Sequence, residues 1–206
     1  MKILLQPLPI RIFHWVMFVS VIVLLFTGLY MNTPWEMMQL SMRAIRKIHT
    51  LFASILIVNL VGHIYYYLYT KKITEIVFLP RDWVNLPSFV RYILFITEDH
   101  PNFGRYNPGQ KLLFSLWFLS VMIGVVSGTV LLFPENSQWL QRIVGGLNAI
   151  RILHFCVTVF WAMSIPLHLY LVFTESPANL QAMFTGYINK KITPATFIKG
   201  KKDPKI

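Results

Sequence analysis

The sequence predicts an all-α membrane protein, a bundle of four transmembrane helices, and three observations support this prediction. Hydrophobic residues make up 55% of the 206 residues and charged residues only 13%, which is too apolar for a soluble domain or a disordered chain. Four stretches contain no Asp, Glu, Lys or Arg, at residues 12–33, 48–70, 112–134 and 152–174. Each reaches the length of about 20 residues that crosses a bilayer as a helix. The third observation is the placement of the basic residues around these stretches.

The basic residues predict the orientation of the helices. Most of the 19 Lys and Arg residues lie in the N-terminal segment, in the connection between the second and third spans, or in the C-terminal tail. Because positive residues concentrate on the cytoplasmic side, we expect both termini in the cytoplasm and the protein in the cytoplasmic (inner) membrane of a bacterium or archaeon. The net charge of +11 is then a topology signal and does not indicate a nucleic-acid partner. The basic residues expected on the outer side are Arg43, Arg46, Lys47, Arg142 and Arg151.

Residues 1–206 are interpreted as one domain. In the long connection, residues 86–97 are apolar apart from Arg91 and are bounded by Pro87. This stretch is too short to span and is expected to lie in the membrane interface as an amphipathic helix. Residues 189–206 form a basic tail. The single cysteine, Cys156, excludes a disulfide framework, a cysteine-ligated iron–sulfur cluster and the covalent attachment of a c-type haem.

Five histidines lie within the predicted spans, and a polar side chain in a span is costly enough to indicate function. The spans contain no acidic residue, which argues against a proton relay or a cation carrier. His49 and His63 are 14 residues apart, and so are His154 and His168. This spacing places two side chains within roughly 40° of one helix face and about 21 Å apart. The fifth intramembrane histidine is His14.

Such spacing favours two stacked planar cofactors, one near each membrane surface. Imidazole is a usual axial donor to haem iron. Histidines that only pack in the bundle are one alternative. A cluster for zinc or copper transport is the main metal alternative, which ligands about 21 Å apart on one helix disfavour. His49 and His154 begin their spans on the outer side and are predicted to bind an outer haem. For an inner haem, His14, His63 and His168 compete, and the spacing leaves that choice open.

Several short runs give the sequence a family resemblance. They are Arg11-Ile12-Phe13-His14-Trp15 with Phe26-Thr27-Gly28, Arg46-Lys47-Ile48-His49, Gly104-Arg105-Tyr106-Asn107-Pro108-Gly109-Gln110-Lys111, and Arg151-Ile152-Leu153-His154 with His168-Leu169-Tyr170. With these runs the chain resembles, over nearly its whole length, the four-helix dihaem cytochrome b subunits of membrane-bound formate dehydrogenases and nickel–iron hydrogenases. The run at residues 104–111 is most similar to the formate dehydrogenase branch. In this run the chain resembles thiosulfate-reductase-type cytochromes more than it resembles hydrogenase cytochromes.

The resemblance implies two b-type haems and a ligand set. It assigns His49 and His154 to the outer haem, and His14 and His168 to the inner haem. His63 is then a departure from the family pattern. It is either an alternative iron ligand to His14 or a hydrogen-bonding residue near the inner haem or a quinone.

The resemblance also implies a pocket for menaquinone or ubiquinone on the cytoplasmic side. The matching positions are Asn107, Gly109, Gln110 and Lys111. A polar turn at a helix N-terminus can hydrogen-bond a quinone carbonyl, but the same residues could simply cap the third span. The acidic stretch Glu98-Asp99-His100 could supply protons.

Three basic residues lie close to predicted haem ligands, where haem propionates would need cations. Equally, they could only fix the topology of the chain. They are Arg11, Lys47 and Arg151.

The sequence therefore predicts a membrane-anchor subunit of a respiratory formate dehydrogenase-type complex. Electrons would pass from an iron–sulfur partner on the outer side, itself bound to a catalytic dehydrogenase subunit, through both haems to the quinone. The chain itself would not act on the primary substrate. The alternatives are the cytochrome b subunit of a nickel–iron hydrogenase or a thiosulfate reductase-type complex, a stand-alone quinol-oxidising cytochrome b, and a haem-free membrane protein.

Overall fold

The computed structural model describes residues 2–34, 38–94, 96–97, 103, 106–174 and 177–189. Four of its helices are long and apolar enough to cross a membrane, which confirms the four predicted spans. The elements in chain order are β1 (Lys2–Leu4), α1 (Leu8–Asn32), α2 (Met42–Tyr69), α3 (Ile73–Ile76), α4 (Pro80–Ile93), α5 (Pro108–Leu132), a 3-10 turn (Glu135–Ser137), α6 (Gln138–Val144), α7 (Leu147–Thr174), α8 (Pro177–Thr185) and β2 (Tyr187–Asn189).

The long helices α1, α2, α5 and α7 begin four to six residues before the predicted spans. The reason is that their first turns include the basic residues that flank each apolar stretch, such as Arg11 and Lys111. The residue after the end of α1 is Thr33, which precedes Pro34, and the residue after the end of α5 is Phe133, which precedes Pro134. Both helices end there because a residue that precedes proline is disfavoured in helical geometry.

The helical hairpins α1–α2 and α5–α7 repeat one pattern. Buried residues of α1 recur in α5 at numbers 100 higher, and buried residues of α2 recur in α7 at numbers 105 higher. The 14-residue histidine spacing follows the same offset. Both hairpins run in the same direction along the chain, as in parallel repeats related by an axis along the membrane normal. The matching residues are Ser20, Val21 and Thr27 with Ser120, Val121 and Ser127, and Ile45, Leu56 and Asn59 with Ile150, Trp161 and Ser164.

A central apolar layer takes one buried residue from each long helix: Val21, Leu56, Val121 and Trp161. The indole of Trp161 stacks on Trp117 with ring centroids 4.9 Å apart and an interplanar angle of 15°. Trp161 lies midway along α7 between its two histidines, and Leu56 lies midway along α2 between the other two. The layer therefore separates an outer level of histidines from an inner level.

The two ends of the described chain meet in a small antiparallel sheet. Lys2 pairs with Asn189 and Leu4 pairs with Tyr187, so both segments lie at the same end of the bundle, as four spans require. Three-residue strands have no periodicity that a sequence reading could detect, and neither β1 nor β2 was predicted. Of the predicted basic tail, only residue 189 falls within the described residues.

The connection does contain a helix, but its bounds differ from the predicted ones, and its position in the membrane interface stays a prediction. Helix α4 covers Pro80–Ile93 and contains Pro87 in its interior, whereas the sequence prediction places it at residues 86–97 with Pro87 at its boundary. The earlier start has a local cause, since the Asp82 carboxylate accepts the Leu79 backbone N–H at 2.8 Å and so caps the first turn. Phe89 of this helix is buried, whereas Val84 is 80% exposed.

Candidate haem sites

The outer histidine pair lies in the middle of the bundle. The ring centroids of His49 on α2 and His154 on α7 are 6.2 Å apart, with an interplanar angle of 66°. Two imidazoles that bind one metal from opposite sides through bonds of about 2 Å have ring centres roughly 6 Å apart. The observed separation therefore fits a metal held between the two rings.

Each outer imidazole is fixed by a hydroxyl on the neighbouring helix. His49 Nδ1 is 2.7 Å from Thr27 Oγ1, and His154 Nδ1 is 2.8 Å from Ser127 Oγ. Both hydroxyls donate their hydrogen to a carbonyl of their own helix, Thr27 to Val23 and Ser127 to Ile123, each at 2.6 Å. A hydroxyl has a single hydrogen, and we assign it to the carbonyl of the same helix. With this assignment each Nδ1–H donates to the hydroxyl oxygen, and each Nε2 keeps its lone pair for a metal.

Two glycines follow these hydroxyl residues and border the same rings. A Cβ atom at Gly128 would lie 3.2 Å from Cε1 of His154, and one at Gly28 would lie 3.6 Å from Cε1 of His49. A side chain at Gly128 would crowd its imidazole, whereas a methyl group at Gly28 would make an ordinary contact. The outer site thus repeats on both hairpins a hydroxyl, a glycine and an imidazole, and this arrangement fits an axial haem site.

The sequence reading missed Thr27 and Ser127. An isolated hydroxyl in an apolar span usually bonds only to its own helix, so composition does not reveal a second role. The available signal is the repeat itself. Thr27-Gly28 and Ser127-Gly128 are 100 residues apart, and each hairpin then carries its histidine pair.

At the inner level three histidines lie together. His14 is a neighbour of both His63 and His168. His168 lies against Trp117 with ring centroids 5.0 Å apart, and His63 stacks on Phe13 at 5.2 Å. Within the described part of the chain, His14 Nδ1 and His63 Nε2 are buried without a hydrogen-bond partner. The unpartnered Nε2 of His63 fits a site that receives a further group, whereas the unpartnered Nδ1 of His14 lacks the hydrogen bond that both outer rings have at this nitrogen.

The predicted quinone residues form the start of α5. The side-chain oxygen of Asn107 accepts the Gln110 backbone N–H at 2.8 Å, and Gln110 Oε1 accepts the Asn107 backbone N–H at 3.1 Å, which is a reciprocal helix cap. Gly109 faces Phe89 of α4, whose ring would lie only 2.2 Å from an added Cβ. The structure therefore gives this segment the capping role that the sequence reading kept as an alternative. Gly104 and Arg105 of the motif, and residues 98–100, lie outside the described residues.

Lys111 is held by a buried acid. Its Nζ donates to Asp82 Oδ1 at 2.9 Å, which joins α5 to α4. Burial by itself would raise the pKa of Asp82, but the hydrogen bond from the Leu79 N–H and the ammonium of Lys111 outweigh it, so the pKa lies below its usual value. Asp82 is therefore ionised at neutral pH, and both groups are fully paired.

The predicted propionate cations differ in position. Arg11 donates from Nε to the Met183 carbonyl at 3.2 Å and from a second nitrogen to the Phe184 carbonyl, so it secures the end of α8. Lys47 precedes His49 by two residues and therefore lies about 200° around the helix from it. Arg151 precedes His154 by three residues, about 60° from the same face. Arg46, which the sequence reading did not select, has the equivalent position before His49.

A family model described as prokaryotic cytochrome b561 matches residues 5–186. The chain belongs to this family. A cytochrome b of this family holds b-type haem, and the four apolar helices make the chain a multi-pass membrane protein.

Curated relatives are similar along nearly the same length. The probable Ni/Fe-hydrogenase B-type cytochrome subunit of Cupriavidus necator is 22% identical, covering 87% of this chain and 84% of the relative. The protein of the same description from Azotobacter vinelandii is 23% identical with the same coverage. The one from Rhodobacter capsulatus is 22% identical, covering 88% of this chain and 78% of the relative. These relatives favour the hydrogenase branch of the resemblance and do not support the formate dehydrogenase branch.

Proposed function

We propose that this chain is the cytochrome b subunit of a membrane-bound nickel–iron hydrogenase. It accepts electrons at the outer end of the bundle and delivers them to a quinone at the cytoplasmic end. The observation that supports an electron-transfer role most strongly is the His49–His154 pair, 6.2 Å apart with both Nδ1 atoms hydrogen-bonded. The description of the relatives as hydrogenase cytochromes supports the choice of complex.

The proposed ligands combine the two histidine levels with the family resemblance, which is what favours His14 over His63. His49 and His154 bind the outer haem, and His14 and His168 bind the inner one, with His63 as the alternative to His14. A haem with two imidazole ligands supplies one-electron oxidation and reduction with no position open to substrate. The central layer around Trp161 keeps the space between the levels apolar and fixes their separation at about 21 Å.

The quinone site is proposed at the N-terminus of α5. The Asn107 side chain uses its oxygen in the helix cap and has an amide NH2 group that can donate to a quinone carbonyl. Lys111 is paired with Asp82 and acts as an anchor of this region. Each quinone takes up two electrons and two protons, and the protons come from the cytoplasm.

The partner surface is proposed at the outer end, formed by residues 31–47 and 134–151. Helix α6 presents Trp139 and Ile143, which are 63% and 72% exposed, beside the cation Arg142. Exposed aromatic and aliphatic side chains with a nearby arginine are typical of protein interfaces. An iron–sulfur subunit bound to the catalytic hydrogenase subunit is the expected partner.

The experiment is to purify the chain from its native membrane, identify the associated proteins and assay quinone reduction. The proposal predicts copurification of a hydrogenase and quinone reduction driven by hydrogen. The 104–111 run favours formate dehydrogenase as the second candidate, which would show copurification of that enzyme and reduction driven by formate. A chain that copurifies with neither and oxidises quinol for a soluble acceptor contradicts both.

A further inference from the structure

The hydroxyls of Thr27 and Ser127 connect the outer imidazoles to the backbone of the neighbouring helices. Each accepts an imidazole N–H while donating its own hydrogen to a backbone carbonyl one turn earlier. We assign the single hydrogen of each hydroxyl to the nearby carbonyl, which makes the imidazole N–H the donor to the hydroxyl oxygen.

The two hydroxyls act symmetrically on one site. The Nδ1–Oγ distances, 2.7 and 2.8 Å, and the hydroxyl–carbonyl distances, both 2.6 Å, agree between the hairpins. Both imidazoles that would hold the outer haem therefore have the same hydrogen-bond environment. A hydrogen bond from the distal N–H of a metal-binding imidazole raises the basicity of the ligating nitrogen. A more basic ligand stabilises the ferric over the ferrous state and lowers the reduction potential.

The inner level lacks this arrangement at one of its proposed ligands. His14 Nδ1 is buried and has no hydrogen-bond partner among the described residues. The surroundings of the inner imidazoles are aromatic, with Trp15 beside His14 at 5.2 Å and Trp117 beside His168 at 5.0 Å. The Trp117 N–H is directed to Ser164 Oγ at 2.8 Å. The hydroxyl–imidazole hydrogen bond that both outer ligands have is therefore absent at His14 among the described residues.

We propose that Thr27 and Ser127 are positioning residues that give the outer haem the lower reduction potential, so that electrons entering from the partner run downhill to the inner haem. This inference rests on the proposed function, because it assumes that both haems are present. It adds the residues that set the relative reduction potentials of the two haems. Each transfer moves one electron, which oxidises a ferrous outer site and reduces a ferric inner site.

The test removes one hydroxyl at a time from the full complex. Thr27→Val and Ser127→Ala are compared with Thr27→Ser, which keeps the hydroxyl, and with Thr129→Val, which removes a hydroxyl that bonds to the Val125 carbonyl. Haem content is measured by the pyridine haemochrome, and both midpoint potentials are measured by optical redox titration with electron paramagnetic resonance. His49→Met assigns the titration wave of the outer haem, because methionine ligation raises the potential.

The expected result is two haems in every hydroxyl variant, with the lower potential moved upward by Thr27→Val and by Ser127→Ala, and further by the double variant. Thr27→Ser and Thr129→Val should leave both potentials unchanged. If Thr27→Val loses its outer haem, Ser127→Ala and Thr27→Ser still give the comparison. The inference is overturned if His49→Met shifts the higher wave, or if the hydroxyl variants keep two haems at unchanged potentials. Absence of b-type haem from the wild-type complex would instead contradict the proposed function.

Discussion

Replacing Lys111 with Met should loosen helix α4 from the bundle, because it leaves the Asp82 carboxylate without its cation. The two charged atoms are 2.9 Å apart, and the side chains are 11% and 6% exposed. At that distance the Coulomb attraction is about 6 kcal/mol for an effective dielectric constant of about 20, and desolvation cancels part of it. Breaking a buried pair costs about 3–5 kcal/mol. The pair lies directly beneath the surface, where solvent screening is stronger. We therefore expect Lys111→Met to reduce the stability of α4 by about 3 kcal/mol, the lower end of this range.

The assay is hydrogen exchange of the α4 amides in detergent-solubilised protein. A loss of about 3 kcal/mol raises the population of the opened helix roughly 100-fold, and α4 amides should exchange faster by that factor. The double variant Asp82→Leu with Lys111→Met removes both charges and should restore most of the protection. Arg91→Gln, which removes an exposed α4 cation, is the matched control. Unchanged exchange in Lys111→Met, or no recovery in the double variant, would refute the reasoning.

The same variants separate two roles of Lys111. If it only anchors α4 to α5, the double variant reduces quinone with the wild-type KM, because Asn107 and the cap are intact. A double variant that keeps its α4 protection but has a raised quinone KM would show instead that Lys111 contacts the quinone.

Three further predictions concern the outer site and the α4 anchor. Gly128→Ala should disturb or release the outer haem while Gly28→Ala is tolerated, because the added Cβ meets its histidine ring at 3.2 Å in the first case and at an ordinary 3.6 Å in the second; haem content checks this. Arg46→Gln and Arg151→Gln should each lower the outer midpoint potential, since each removes a cation near the haem carboxylates. A redox titration that gives each variant the wild-type midpoint potential would contradict this prediction. The folded-state pKa of Asp82 is lowered, so its contribution to the stability of α4 is complete above the ordinary Asp pKa of about 3.9 and is lost as pH falls through the lower folded-state pKa. The protection of the α4 amides should therefore stay constant down to about pH 4 and decline only below it. The Asp82→Asn variant should not show that decline.

The spans and the histidine pairs could be predicted because both depend on local sequence. A charge-free run of about 20 residues has few alternatives to a membrane helix, and a 14-residue spacing fixes which helix face two side chains share. His49 and His154 were predicted as partners from depth alone, and the structure brings their rings to 6.2 Å.

The features that could not be predicted depend on contacts distant in sequence. The Asp82–Lys111 pair joins residues 29 positions apart, and the β1–β2 sheet joins opposite ends of the chain. Thr27 bonds to its own helix as any buried threonine does, and only the neighbouring helix turns it into a partner of His49. The inner ligand choice between His14 and His63 stays a prediction, because all three inner imidazoles lie close together.

Haem content of the purified protein and of single histidine variants tests the central claim most directly. We predict two low-spin b-type haems per chain in the wild type. One haem should remain after His49→Ala or after His14→Ala, and both should remain after His63→Ala. A wild-type protein without a b-type spectrum would contradict the account as a whole. Loss of one haem with His63→Ala but none with His14→Ala would contradict the inner ligand assignment.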